Sequence, residues 1–413
     1  MSSPVLLAPV GSQEALSAAL KNGANAVYFG AGRRNMRASA AVNFTPDDIA
    51  RVAEQCHEYN AEAWLALNTT LYDEELSEVE ALCSVAEKSG IDAVIAADPA
   101  AVMRARNHGL SVHMSVQSNV CNMDSIRFWA NYADAMVLAR ELRLEQVQEI
   151  CRRVRDENIT GPSGKQVAIE VFVHGALCMA VSGRCYLSLG LDDHSANRGE
   201  CYQPCRRAYK VTDLKNGREL ELQNPYIFSP NDLCTINILD RLISAGVGIF
   251  KIEGRGRGAD YVAAVTKVYR EAIDAGSNVS AEQKAEWIDR LKRVFNRGFW
   301  DGGYYLGLPS SGACSGENQA TEQKIFVGQI TNWFNKHNAA QCKIQAESLH
   351  EGDTVIVTGA TTGAERFTII GLRANGVPAA IAEKGTDATF VSPVRLREND
   401  KLYLVRQNGK DKF

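Results

Sequence analysis

A (β/α)8-type barrel with an inserted cysteine-rich region, followed by a small all-β barrel, is the architecture this sequence predicts. Three observations carry that reading. Eight short, continuous apolar runs precede residue 260, and helical patterns separate most of them; continuous runs suit parallel strands covered on both faces. Polar residues stand at or just past the C-terminal ends of those runs, the end at which barrels build their sites. Beyond a Gly- and Ser-rich stretch at 306–321, the pattern changes to short β-type segments. An open doubly wound sheet has the same alternation and is the competing architecture.

The runs are Leu6–Pro9, Ala26–Phe29, Ala63–Leu67, Ala93–Ala97, Val112–Val116, Ala135–Ala139, Val167–Val173 and Ile249–Ile252. After the first, Ser12 is placed to cap a helix in which Ala15, Leu16, Ala19 and Leu20 share a face and which Gly23 ends. Thr45 and Pro46 supply an N-cap and a first-turn proline for a helix reaching about His57. Residues 174–248 separate the seventh run from the eighth, far more than any other spacing, so an insertion at about 174–235 sits on the presumed site face. Helices follow at Ala259–Asp274 and Ser280–Phe295, then the aromatics Phe299, Trp300, Tyr304 and Tyr305. The expected domains are therefore a barrel over 1–305, a linker at 306–321 and a β domain over 322–413. Its strands are expected at Lys324–Thr331, Gln341–Ala346, Asp353–Thr358, Glu365–Leu372 and Lys401–Val405.

The polar strand-end residues are Asn68, Asp98, Gln117, Arg140 with Glu141, His174, and Glu253 with Arg255. Glu253 and Arg255 make a candidate acid/base and anion-binding pair. His113 and Gln117 are candidates to orient a base or a water, and Asn68, Arg140, Glu141 and His174 complete a substrate-binding rim. Each has an equally plain structural reading as an ion pair or a strand-end hydrogen bond. The other histidines fall in no such setting.

No window approaches the roughly 20 apolar residues of a membrane span. The opening MSSPVLLAPVGSQEAL lacks a basic segment followed by an apolar one, so a cytoplasmic protein with no membrane partner is expected. A net charge of −4 argues against a uniformly basic nucleic-acid binder and leaves room for a local basic patch. Such a patch could be assembled from Arg184, Arg198, Arg206, Arg207 and Lys210, with Arg33, Arg34, Arg37, Arg255 and Arg257 at other strand ends. Tyr186, Tyr202 and Tyr209 are placed to stack on an exposed base.

Cysteine usage is the sharper signal. Of 11 cysteines, Cys178, Cys185, Cys201, Cys205 and Cys234 cluster, and in a cytosolic chain clustered thiols point to metal or redox chemistry. The spacing Cys178-x6-Cys185-x15-Cys201-x3-Cys205 supplies four thiolates, the number a [4Fe–4S] cluster takes. Zinc is the main competitor, although only Cys201 and Cys205 have knuckle-like spacing, and reactive or structural thiols are a third reading. Cys234 either replaces one of the four or packs as an ordinary core thiol.

The run E-V-F-V-H-G-A-L-C-x6-C-Y-L-S, Glu170 to Ser188, resembles the signature of the collagenase-like peptidase family. The similarity extends to LLAPVGS at 6–12, NGANAVYFG at 22–30, HMSVQSN at 113–119, AREL at 139–142, FKIEGR at 250–255 and NRGFWDGGYY at 296–305. That family includes prephenate-dependent tRNA uridine hydroxylases, a ribosomal-RNA cytidine hydroxylase and accessory proteins of anaerobic ubiquinone synthesis. The resemblance implies a barrel with an inserted iron–sulfur region and a C-terminal β domain. It implies the cluster ligands Cys178, Cys185, Cys201 and Cys205; one ubiquinone-synthesis relative draws its fourth ligand from farther along, which leaves Cys234 open. For the hydroxylase branch it implies a tRNA substrate, conversion of the wobble uridine to 5-hydroxyuridine, and prephenate as a small carboxylate co-substrate.

Three functions compete on these residues. The first is an RNA-modifying enzyme. The second is a peptidase, for which the sequence has no G-x-S-x-G or H-E-x-x-H motif, only a conceivable pairing of Cys178 with His174 or His113. A cysteine tied to iron is not a free nucleophile, so these two readings exclude each other there. The third is an accessory or electron-transfer protein that works with a partner.

Overall fold

The computed structural model describes residues 3–409 apart from 40, 221–225, 227, 277–278 and 301–317. Eight parallel strands form a closed barrel: β1 (Val5–Pro9), β2 (Ala26–Phe29), β3 (Glu62–Leu67), β4 (Ala93–Ala96), β5 (Ser111–Met114), β6 (Ala135–Val137), β7 (Ala168–Ala176) and the eighth, Ile249–Ile252. Closure is explicit, because Ile249 registers against Val5 of β1 and also against Glu170 of β7. The open doubly wound alternative is thereby excluded.

Alternation within each apolar run explains why both faces are apolar. Leu6, Ala8, Val27 and Phe29 join the large core beneath the outer helices. Leu7, Ala26, Tyr28, Trp64 and Ile95 fill the barrel interior, as inward side chains of barrel strands do. Helix α1 (Gln13–Lys21) starts where the sequence places its cap: Ser12 Oγ accepts from Ala15 N at 3.3 Å. Thr45 and Asp48 form a capping box around a single 3-10 turn, and α2 (Ile49–Glu58) continues from it.

Between β7 and the eighth strand the chain is irregular. It carries the short helix Leu187–Asp192, the 3-10 turns Ala196–Arg198 and Pro204–Arg206, and a small ribbon joining Val211–Thr212 to Glu219–Leu220. It returns through the strand Asp232–Cys234, antiparallel to the end of β7. Helices α3 (Leu76–Lys88), α4 (Pro99–Asn107), α5 (Met123–Trp129) and α6 (Leu144–Asp156) alternate with the strands. Helix α7 (Leu187–Asp192) is the short helix of the insertion, α8 (Leu239–Ala245) precedes the eighth strand, and α9 (Ala259–Ala275) and α10 (Ala281–Lys292) follow it.

Residues 322–407 form an antiparallel sheet of eight strands with its own core. Phe367, on one edge strand, and Phe390, toward the other edge, have ring centroids 6.2 Å apart, so the sheet curls around that core. It contains an additional strand, Asp387–Val391, and the expected strand Glu365–Leu372 is two, Gly363–Thr368 and Ile370–Ala374. The sheet seats on α1 and α9: Ser17 Oγ donates to the Ala360 carbonyl at 2.5 Å, and Lys324 pairs with Asp260 at 2.5 Å. Tyr304, Tyr305, Cys314 and the linker up to residue 317 lie outside the described residues. No described helix is long and apolar enough to cross a membrane.

Candidate functional site

The C-terminal mouth of the barrel opens into a cavity of about 1000 Å³. Strand ends line its floor and wall, and the cysteine-bearing insertion forms its lid. Cys178 follows β7, Cys185 precedes the helix Leu187–Asp192, and Cys201 and Cys205 flank and occupy the turn Pro204–Arg206. All four line this one cavity. Burial raises the Cys185 thiol first, and the neighbouring Cys178 and Cys201 raise it further; burial likewise dominates at Cys205. Thiols that feel one another's charge are costly to ionise unless a cation sits among them. Among the described residues no three His, Cys, Asp or Glu groups gather tightly enough for a single metal ion.

Cys234 is absent from the cavity wall. It is 3% exposed, beside His174 in the sheet register, and Tyr269 Oη donates toward its Sγ at 3.9 Å. Cys56, Cys83, Cys151 and Cys342 are buried with thiols pushed up to about 12, 11, 12 and 12 by burial. They are core residues.

Of the strand-end candidates, Asn68, Gln117, Arg140, Glu253 and Arg255 meet at the cavity. Asn68 Nδ2 donates to Gln117 Oε1 at 3.2 Å, and Gln117 Nε2 returns a bond to the Asn68 carbonyl at 2.8 Å. Glu253 and Arg255 both line the cavity, and among the described residues the ion-pair partner of Glu253 is Arg37. Arg37 engages its Oε1 from Nη2 at 2.7 Å and Nε at 3.1 Å, and Tyr28 Oη donates to Oε2 at 3.3 Å. Burial alone would raise this carboxyl, but Arg37, Arg140 and Arg255 more than offset it and hold it at about 2. A carboxylate that strongly stabilised is a charge anchor, a poor proton shuttle at neutral pH. Arg255 is buried and donates to Asn35 Oδ1 at 2.9 Å.

Other candidates lie elsewhere. His113 is buried inside the barrel with its ring 4.2 Å from that of Trp64, and burial, then Lys251, push it down to about 3. His174 is buried among Tyr261, Tyr269 and Phe299 and is also held at about 3 by burial. Neither lines the cavity, because β-strand alternation turns one below its floor and the other toward α9. Glu141 is exposed and outside the wall, and Arg207 points outward to Asp192 at 2.9 Å. Arg206 anchors the lid through Ser229 Oγ at 2.9 Å, the Pro230 carbonyl at 3.0 Å and the Leu177 carbonyl.

Sequence reasoning missed Asn35, Tyr28 and the pair Glu170–Lys251. Asn35 is fully buried; its Oδ1 accepts from both Arg255 and the Arg37 backbone N–H, so it sets the positions of two arginines. Lys251 lines the cavity floor and pairs with Glu170 at 2.7 Å. The available signal was a charged letter inside an apolar run, in IFKI and in AIEVFV.

The chain is 44% identical to a collagenase of Porphyromonas gingivalis over 406 residues, covering 96% of this chain and 97% of the relative. It is 32% identical to tRNA hydroxylation protein P1 of Bacillus subtilis, covering 80% of this chain and 78% of that protein. It is 34% identical to the 23S rRNA 5-hydroxycytidine C2501 synthase of Escherichia coli, covering 78% of this chain and 47% of that protein. The profile of Peptidase family U32 matches residues 11–313, and with that span and those relatives the chain belongs to Peptidase family U32.

Proposed function

We propose that this protein is an iron–sulfur-dependent RNA-modifying enzyme that hydroxylates a pyrimidine, the tRNA wobble uridine, to 5-hydroxyuridine, with prephenate as donor. The observation that carries the reading is the convergence of four cysteines from separate turns on one cavity at the barrel mouth. In a [4Fe–4S] centre each thiolate binds its own iron, so the set is spread more widely than the shell of one ion, in which each sulfur lies about 2.3 Å from the metal. Such a cluster, held by Cys178, Cys185, Cys201 and Cys205, would supply electrons or a Lewis-acidic iron that no side chain offers.

The chain's own residues have definable parts. Among the described residues Glu253, held by Arg37, is the cavity's one carboxylate, and Arg140 and Arg255 have no ion-pair partner, so the cavity is cationic, which suits a small dianionic co-substrate. The amides of Asn68 and Gln117 offer donors and acceptors for the edge of a base. Tyr186 and Tyr202, 72% and 45% exposed on the lid, the latter with one side of its ring against His194, are placed to stack on a neighbouring one. Two relatives whose names record RNA hydroxylation support the same reading.

A peptidase is the second reading, favoured by the collagenase relative. The geometry gives it less: no histidine lines the cavity among the described residues, so Cys178 has no base beside it, and Glu253 is held as a carboxylate by arginines.

The test is nucleoside mass spectrometry of tRNA and rRNA from cells with and without the gene, joined to iron and sulfide assays on protein purified without oxygen. Loss of a hydroxylated pyrimidine, restored by wild type and not by Cys185→Ala, is the expected result, with iron lost from the variant. An unchanged nucleoside profile in cells without a redundant pathway would reject RNA hydroxylation and return weight to the peptidase and accessory readings. Full iron occupancy in a Cys178→Ala/Cys185→Ala protein would reject the ligand assignment.

A further inference from the structure

A second chamber, of about 780 Å³, shares Cys178, Cys201 and Cys205 with the barrel-mouth cavity. Its wall contains Arg37, Arg140, Arg206, Arg257 and Arg297, and Glu253 is its one carboxylate among the described residues. Arg37 already holds Glu253, and Arg297 pairs behind the wall with Asp232 at 3.2 Å. That leaves Arg140, Arg206 and Arg257 with no carboxylate at ion-pair distance among the described residues.

The arginines' donors are also under-used. Arg297 is 4% exposed, yet its Nε is buried without a hydrogen-bond partner among the described residues, as is that of Arg140. The Arg257 guanidinium lies over the Phe295 ring at 3.4 Å and makes no hydrogen bond or ion pair among the described residues. By contrast, much of the basic patch expected from sequence is neutralised: Arg34 and Arg198 by Glu75, Arg207 by Asp192, Lys210 by Glu219. Crowded, partly buried guanidiniums without counter-charges are unfavourable by themselves. Their planar forks match the oxygens of a phosphate.

We propose that this arginine chamber seats a backbone phosphate of the RNA strand, beside the nucleotide whose base enters the barrel chamber. The proposal rests on the RNA reading above. A polymer requires a way out as well as a seat. Arg257 also lines the cleft between the barrel and the C-terminal sheet, where Lys324 pairs with Asp260, Arg366 pairs with Glu322, and Arg293 has no carboxylate partner among the described residues, so the chamber continues into a track with net positive charge. A small free carboxylate would need no such continuation.

The experiment measures tRNA affinity of the full-length, cluster-loaded protein across a series of salt concentrations. Arg257→Gln removes a guanidinium that makes no hydrogen bond or ion pair among the described residues, and Arg257→Lys keeps the charge without the fork. For Arg257→Gln, affinity should fall about tenfold and the slope of log affinity against log salt by about one. Arg257→Lys should be intermediate, and Lys88→Gln, on the far end of the barrel, should match wild type. Iron content and visible absorbance should not change. Retained affinity and slope in Arg257→Gln would overturn the proposal while leaving the RNA reading intact. So would weakened prephenate binding with normal tRNA binding, which would make the chamber the seat of the small carboxylate, or loss of iron, which would make the arginines partners of the cluster. Wild-type protein that binds no RNA at any salt would sink the RNA reading and this inference with it.

Discussion

Glu170 and Lys251 stand 2.7 Å apart across β7 and the eighth strand, 0% and 4% exposed. The Lys251 ammonium also lies 4.5 Å from the Tyr28 ring centroid, and Glu170 Oε2 is buried with no hydrogen-bond partner. Removing one member of a buried ion pair strands the other charge and costs about 3–5 kcal/mol, whereas replacing both by apolar groups is often near neutral. Lys251→Met is therefore expected to destabilise the protein by that amount in urea titrations, and Lys251→Met/Glu170→Leu to recover most of the loss. Strictly additive losses would mean that the two charges are satisfied separately. This pair illustrates what the sequence disclosed and what it hid. Cysteine spacing announces itself, because four thiols in a short segment have few other uses. Strand-end letters do not: His113, His174 and Arg140 look alike in one dimension, and only the pleat decides which of them faces the cavity. Asn35 was invisible because its importance lies in holding Arg255 and the Arg37 backbone, contacts that join distant parts of the chain.

The lid is the element whose form the sequence concealed most fully. It has no apolar period to read, since its shape comes from turns seated on the barrel rather than from a packed face. Gly199 is one such seat: its φ is +90°, and a Cβ there would stand 2.4 Å from the Asn35 carbonyl oxygen. Gly199→Ala would impose both backbone strain and a clash on the loop two residues before Cys201. The expected result is faster hydrogen exchange across roughly residues 180–206 with little change in the barrel strands, at a cost of about 1–3 kcal/mol. Unchanged protection in the lid would show that this contact does not hold it. The barrel strands, by contrast, were readable to within a few residues because each is apolar on both faces and most are separated by helical patterns. The C-terminal sheet was readable in kind and less so in detail. Two-residue strands such as Val377–Pro378 carry no pattern, and the expected strand Glu365–Leu372 breaks at Ile369, before Gly371 turns the chain at φ +69° into its next partner.

Closure of the barrel has a consequence for the whole molecule, because it buries titratable groups that water would otherwise reach. His113 and His174 are both pushed from 6.5 down to about 3, chiefly by burial, so the native protein keeps them neutral. The unfolded chain protonates them near 6.5 and so binds more protons than the native state below that pH. Stability must then fall as pH drops from about 6.5 toward 3, with a limiting slope of about 1.4 kcal/mol per pH unit for each histidine. Glu253 acts in the same direction in a lower window. Despite its burial, Arg37 and Arg140 hold it at about 2 rather than 4.5, so the stability it adds is present above 4.5 and is lost as pH falls toward 2. His108 has the opposite sign. Glu87 and Glu80 raise it, so its contribution is present below 6.5 and is lost as pH rises through its raised value, but its place on the surface among half-exposed glutamates keeps it small. Urea midpoints measured from about pH 8 to pH 5 should therefore stay level above about pH 7 and decline steadily below 6.5, before any carboxylate is lost. A midpoint that holds level to pH 5 would mean that these two histidines accept protons in the native state, and that the barrel interior and the packing beneath α9 are open to water.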